Sequence, residues 1–295
     1  MIPLRDLNPT RVPAYLTVAL IVVNVLVFLA QVLRSRADQE LDFYRYGVIP
    51  KCFLTQGDKD KHEAALREAL VPLAKRWLSR SAAFRELVDQ EFRRRGTAAR
   101  SRDELVAEVE AVAVDLLREK VGRRHELLTL LTSMFMHGGW LHIIGNMWFL
   151  WIFGNNIEDA CGRIRFIPFY VLSGLVATFA HILMGPNSLL PTIGASGAIS
   201  GVLGAYILLY PHAKIETLIP IAGWLPWITE VPAWVFLGVW MLLQVLNATF
   251  HSAAAGGVAW YAHIGGFVAG LALIYLFRER RALPPSGIRF DLDDG

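Results

Sequence analysis

The chain has 295 residues, is 54% hydrophobic and has a mean hydropathy of +0.40. That is too apolar for an ordinary soluble enzyme of this length, and a formal net charge of +3 gives no sign of a nucleic-acid partner. Residues 13–33, 141–157, 166–190, 196–211, 231–250 and 258–277 contain no Asp, Glu, Lys or Arg. A helix needs about 20 apolar residues to cross ~30 Å of hydrocarbon. The chain therefore reads as an all-α, polytopic membrane protein embedded in a lipid bilayer.

The first span, 13–33, is too long for the apolar core of a signal peptide and lacks a small-residue cleavage pattern, so it is expected to stay in the membrane. Residues 34–124 differ in kind: they are rich in Arg, Glu, Asp and Lys and read as an extramembrane helical insertion. Within them Leu66, Leu70, Leu73 and Trp77 recur at helical spacing, and Pro72 is expected to break or kink that helix. Ser101-Arg102-Asp103-Glu104 is a capping-box signature, followed by Leu105, Val109, Val112 and Leu116 on one face. Residues 127–157 again carry no charge, a run too long for one untilted span, and Gly138-Gly139 divides it. Leu127–Met136 is expected to be a short apolar element at the outer surface, with the second span starting near Trp140. The segment 196–211 is short for a crossing, which places its start, and Ser196, below the membrane surface. Residues 218–229 are apolar but interrupted by Pro220 and Pro226 and are expected to form an interfacial loop. The resulting division is 1–33 (N-terminal segment and first span), 34–124 (insertion), 125–277 (core with five further spans) and 278–295 (tail).

Orientation follows from the short flanks. In a six-span arrangement Arg5, Arg11, Arg163, Arg165, Lys214, Arg278, Arg280, Arg281 and Arg289 share one side, while 185–194 and 251–257 carry no Lys or Arg. The positive-inside rule then puts both termini in the cytoplasm of a cell-membrane protein, with the insertion outside; long loops translocate largely regardless of charge. Cys52 and Cys161 fall on opposite sides, so no disulfide is expected.

The chemistry-bearing residues lie inside the apolar segments. Ser196 stands in Gly194-Ala195-Ser196-Gly197, the pattern of a nucleophile on a tight turn into a helix. His263 is followed by Gly266 and Gly270 on the same helical face, and the Ser196 segment offers Gly197, Gly201, Gly204 and Ala205. Small faces let two helices approach closely, which would bring His263 against Ser196 as a nucleophile–base pair. The plainer alternatives are a structural histidine and a serine bonded back to its own helix. His142 and Asn146, four apart, share a face. They are either donors to a developing oxyanion or a pair that holds helices together. The charge-free spans offer no Asp or Glu, so the catalytic unit is a dyad, with packing against the glycine faces holding the ring. There is no His-Glu-x-x-His run, and His137 and His142, five apart, do not share a helical face, so no metal or other cofactor is expected.

The stretches His137-Gly-Gly-Trp-Leu-His142-Ile-Ile-Gly-Asn146, Gly194-Ala-Ser196-Gly197 and Ala262-His263-Ile-Gly-Gly266-Phe-Val-Ala-Gly270 closely resemble the rhomboid intramembrane serine proteases. The resemblance covers roughly 126–278 plus the first span. It implies a six-helix core with Ser196 as nucleophile and His263 as general base. It also implies an oxyanion hole from His142, Asn146 and the backbone N–H of Ser196, and a structural role for His137 in the first outer loop. The implied substrate is the transmembrane segment of a single-pass protein with small residues near the cut. Two positions depart from the family pattern. Glu126-Leu127-Leu128-Thr129 stands where a Trp-Arg pair is common, and Ser200 stands where a tyrosine often stacks on the histidine. For the insertion, an unknown soluble partner and a substrate gate are both open. The rival readings are a catalytically inactive rhomboid-like protein that binds transmembrane helices and a transporter with a polar midplane site. Retention of Ser196 and His263 argues against the first, and the absence of intramembrane charges against the second.

Overall fold

The computed structural model describes residues 1–96, 101–221, 225–250 and 258–279. The chain forms two compact units: Met1–Gln31, Ser133–Met184 and Ile193–Gly295 make the first, and Val32–Thr132 with Gly185–Thr192 the second.

The first unit contains helices α1 (Tyr15–Val32), α8 (Trp140–Cys161), α9 (Arg163–Met184), α10 (Ser196–Leu209), α11 (Ala233–Phe250) and α12 (Trp260–Phe277). The second contains α2 (Arg36–Tyr46), α3 (Pro50–Thr55), α4 (Lys59–Arg80), α5 (Ala82–Arg95), α6 (Arg102–Val121) and α7 (Glu126–Thr132). Four helices, α1, α9, α11 and α12, are each long and apolar enough to cross a membrane. The broken pair 126–135 and α8 passes the same test together, and α10 is a shorter apolar helix. The chain does break where Gly138-Gly139 stands: a 3₁₀ turn ends at Phe135 and α8 starts at Trp140.

Polarity on α1 runs inside out. On α1 the buried residues are Thr17, Asn24, Phe28 and Gln31, while Val18, Val22, Leu26 and Leu29 are exposed. Leu172, Val176 and Phe179 of α9 and Leu242, Leu243 and Leu246 of α11 are exposed likewise. So large an apolar exterior fits a hydrocarbon solvent, where polar groups turn inward. This is a multi-pass membrane protein.

At the centre lies α10, buried continuously from Gly197 to Tyr206 and packed by α8, α9, α11 and α12. The expected glycine faces meet. A Cβ on Gly266 would strike the Gly197 carbonyl, one on Gly270 the Gly201 carbonyl, and one on Gly204 the Phe267 carbonyl. The backbones of α10 and α12 are therefore in direct contact, with no side chain between them.

Two expectations about this unit are corrected. α8 continues past the charge-free segment and ends with buried Glu158 and Asp159, so one membrane helix does carry acids. Glu158 caps the first turn of α1, accepting from the Leu16 N–H (3.0 Å), the Thr17 N–H (2.7 Å) and Thr17 Oγ1 (2.8 Å). Residues 218–221 and 225–229 are not a loop. They belong to strands β2 (Lys214–Ile221) and β3 (Leu225–Pro232), which join β1 (Ile2–Asp6) in an antiparallel sheet of order β1-β2-β3. Alternating Ile215, Thr217 and Ile219 suit a strand. Pro220 pairs with Pro226 beyond the reach of β1, where β2 is an edge and a missing N–H costs no ladder bond. The short loop expected at 251–257 and all but the first two residues of the expected tail 278–295 lie outside the described residues.

The second unit has its own apolar core: Leu66, Ala69, Leu70 and Leu73 of α4 against Val112, Ala113 and Leu117 of α6, with Phe84 and Val88 of α5 and Leu41 of α2. The Ser101 capping box is formed in both directions. The apolar face of α6 is shifted toward its C-terminus: Leu105 is exposed, and the buried residues are Val112, Ala113, Val114, Leu117 and Val121. Pro72 does not break α4, which runs from Lys59 to Arg80 with the proline facing solvent, where the carbonyl it leaves unbonded can be hydrated. In place of the Trp-Arg pair, α7 is anchored by a buried ion pair. Arg124 Nε donates to Glu126 Oε1 at 2.7 Å, and Arg124 also donates to the Gly47 carbonyl at 3.1 Å. Cys52 and Cys161 are both free and buried.

Candidate active site

Ser196 is the first residue of α10. The chain enters that helix through Gly194, whose φ of 125° is a conformation that side-chain-bearing residues rarely adopt, and whose N–H donates to the Ser133 carbonyl at 2.8 Å. A Cβ on Gly194 would also lie 2.8 Å from His142 Nε2. Strain and close approach thus both demand glycine there. At the head of a helix the first N–H groups have no partner within it, so the Ser196 amide is free to meet an anion.

His263 lies in the first turn of α12, and its Nε2 is 2.9 Å from Ser196 Oγ. The structure brings together the two residues that the glycine faces were expected to align. Gly197 packs toward α9, where a Cβ would fall 2.7 Å from that of Ala177, and Gly266 and Gly270 line the contact with α10. Ser200 donates to the Ser196 carbonyl at 2.7 Å, back along its own helix. The imidazole is flanked by Trp240 and Trp260, with ring centroids 6.0 and 6.1 Å away.

His142 and Asn146 lie one turn apart on α8. The Gly138 N–H donates to His142 Nδ1 at 3.3 Å. A neutral ring that accepts at Nδ1 carries its proton on Nε2, the atom that faces the Gly194 backbone beside Ser196. Asn146 is buried, and its Nδ2 has no hydrogen-bond partner among the described residues. A buried amide donor left without a partner is costly unless a ligand supplies one. His137 packs edge-on against His142 at 5.1 Å. Its backbone is clamped by Gln31, whose Oε1 accepts from the His137 N–H (3.2 Å) and whose Nε2 donates to the His137 carbonyl (3.3 Å). Among the described residues no three His, Cys, Asp or Glu side chains gather in a way that could hold a metal ion.

The rhomboid domain family matches residues 124–280, more than half of the chain. The protein belongs to the rhomboid family. Over 151 residues it is 30% identical to the mitochondrial rhomboid protein 1 of Saccharomyces cerevisiae, covering 49% of this chain and 40% of that protein. It is 29% identical over 161 residues to the mitochondrial RHOMBOID-like protein 6 of Arabidopsis thaliana (54% and 46%). It is 31% identical over 156 residues to the rhomboid-like protease 5 of Toxoplasma gondii (52% and 16%). The match thus spans less than half the length of each of these relatives.

Sequence reasoning missed one group in this rhomboid. Gln244 of α11 places Oε1 2.7 Å from His263 Nδ1, so the ring is not held by packing alone. The signal was an amide inside a charge-free segment, one that Asn247 shares.

Proposed function

We propose that this rhomboid is an intramembrane serine endopeptidase that hydrolyses a peptide bond in or beside the transmembrane helix of a single-pass membrane protein. The observation that carries the reading is the 2.9 Å contact between Ser196 Oγ and His263 Nε2 at the head of a buried helix. In this mechanism Oγ attacks the substrate carbonyl while Nε2 takes its proton. The negative charge that develops on the carbonyl oxygen is met by His142 Nε2–H, Asn146 Nδ2–H and the Ser196 N–H. The imidazolium then returns the proton to the leaving amine, and a water activated by the same nitrogen hydrolyses the acyl-enzyme. A bound helix satisfies its own backbone, so it must unwind before Ser196 can reach a carbonyl, and Gly or Ala near the cut lowers that cost.

The 14 residues of α10 span about 21 Å, short of the hydrocarbon thickness, which supports a serine held below one membrane surface. The charge distribution supports a cell-membrane topology with cytoplasmic termini, and with the site opening, like the insertion 34–124, on the outer side. The insertion then serves as a substrate gate or as the docking point of a soluble partner. The name of the Toxoplasma relative supports proteolysis, whereas the Arabidopsis name says only rhomboid-like. The test is to incubate purified protein in lipid with a panel of single-pass substrates, comparing wild type with Ser196→Ala and His263→Ala. Cleavage lost in both variants, together with fluorophosphonate labelling of Ser196, is expected. Equal cleavage by Ser196→Ala would overturn the assignment, and no cleavage or labelling in wild type would favour an inactive helix-binding rhomboid.

A further inference from the structure

A serine–histidine pair has a problem that a triad's carboxylate normally solves: a neutral imidazole exists in two tautomers, and only the one protonated at Nδ1 can accept the serine proton at Nε2. The geometry points to Gln244 as the residue that selects this tautomer, a positioning residue acting through His263.

The amide of Gln244 can face the ring in only one sense. Its Nε2 donates to the Trp240 carbonyl at 3.3 Å, one helical turn back. Reversing the amide would set carbonyl oxygen against carbonyl oxygen. With Nε2 so engaged, the atom presented to His263 is Oε1, 2.7 Å from Nδ1. Oε1 can only accept, so Nδ1 must carry the hydrogen. The lone pair then falls on Nε2, directed at Ser196 Oγ 2.9 Å away. Backbone carbonyl, amide, imidazole and hydroxyl form one chain in which every donor has a defined acceptor. Gln244 is buried while its neighbours Leu242, Leu243, Val245 and Leu246 are exposed, so the amide turns into the bundle from an apolar helix. A glutamine also suits this solvent. It orients the ring as an aspartate would, but brings no charge that must be desolvated inside a membrane.

The kinetic part of this inference rests on the endopeptidase reading; the tautomer does not. Gln244→Met keeps the length and the apolar stem but removes the acceptor, whereas Gln244→Glu, as the neutral acid, keeps both an acceptor toward His263 and a donor toward the Trp240 carbonyl. In Gln244→Met, kcat is expected to fall about 10–100-fold with KM little changed, while Gln244→Glu retains most of the activity. A packing role alone would not separate the two variants in this way. The resting protein supplies the second readout. In ¹⁵N-histidine-labelled samples, with the His263 signals identified by their loss in His263→Gln, wild type should show a hydrogen on Nδ1 alone. Gln244→Met should show a mixture of tautomers. The same single tautomer in both proteins, or equal kcat, overturns the inference. If wild type shows no Ser196-dependent cleavage, the endopeptidase reading falls, while the tautomer measurement still decides the role of Gln244.

Discussion

Gly266→Ala is the smallest perturbation of the contact between α10 and α12. A Cβ at Gly266 would lie 3.0 Å from the Gly197 carbonyl carbon, with that carbonyl's oxygen nearer still, and 3.2 Å from Ser200 Cβ. The obstacles are backbone and a helix-bound Cβ, so no flexible side chain can swing away. Relief requires the two helices to part locally by about 1 Å, at a cost of about 1–3 kcal/mol. His263 is one turn away on the same face, so the separation is transmitted to the 2.9 Å contact with Ser196. A displacement of that size at a reacting pair lowers the rate by about 10². The assay is kcat/KM on a cleaved single-pass substrate, run beside Gly145→Ala and Gly238→Ala, where an added Cβ meets nothing within 4 Å. Thermal unfolding separates loss of geometry from loss of fold. Wild-type activity in Gly266→Ala would refute the argument that backbone contact sets the distance between the pair.

If Asn146 Nδ2 is held free for an oxyanion, Asn146→Ala lowers kcat by about 10²–10³ with KM little changed; a fall in thermal stability at constant kcat would mark it as a helix-packing group instead. The Asp6 carboxyl on β1 is pushed up to about 6 by burial, against the opposing pull of the Asn8 N–H. The folded protein therefore holds a proton that the unfolded chain releases at lower pH, so stability declines as pH rises toward 6 and levels off above it. Melting curves from about pH 5 to about pH 7 should show wild type losing stability relative to Asp6→Asn; parallel curves would contradict this. With the two native cysteines replaced, a membrane-impermeant thiol reagent on intact cells should label Leu105→Cys and spare His212→Cys, both at exposed positions. Labelling of the second alone would invert the proposed topology.

What could be read from the sequence was whatever is written in short local spacings. Gly266 and Gly270 recur behind His263 at helical intervals, and the complementary glycines follow Ser196, so the meeting of two helices was encoded on both partners. The break at Gly138-Gly139 and the capping box at Ser101 are likewise local. The missing parts depend on partners distant in the chain or on competing readings of one segment. Gln244 lies 19 residues before His263 on another helix, with no motif around it. Residues 218–229 are apolar enough for a membrane interface, and their prolines suggested a loop. Only the pairing of β2 with β3, which sets Pro220 opposite Pro226 past the end of β1, explains why two prolines are tolerated there. Glu158 immediately follows a charge-free run, where a charge ordinarily marks the end of a span, yet α8 carries it into the interior.

The first helix shows how such a molecule is fastened. Near its start the backbone and Thr17 bond to Glu158, and near its end Gln31 grips the backbone of His137, while the flank between them turns leucines and valines outward. Lipid tails are as oily as leucine, so that flank gains little by pressing against its neighbours rather than against the bilayer. The helix is riveted at two points rather than glued along its length. What loosens it is a solvent that competes for hydrogen bonds; one that merely dissolves oil leaves both rivets in place.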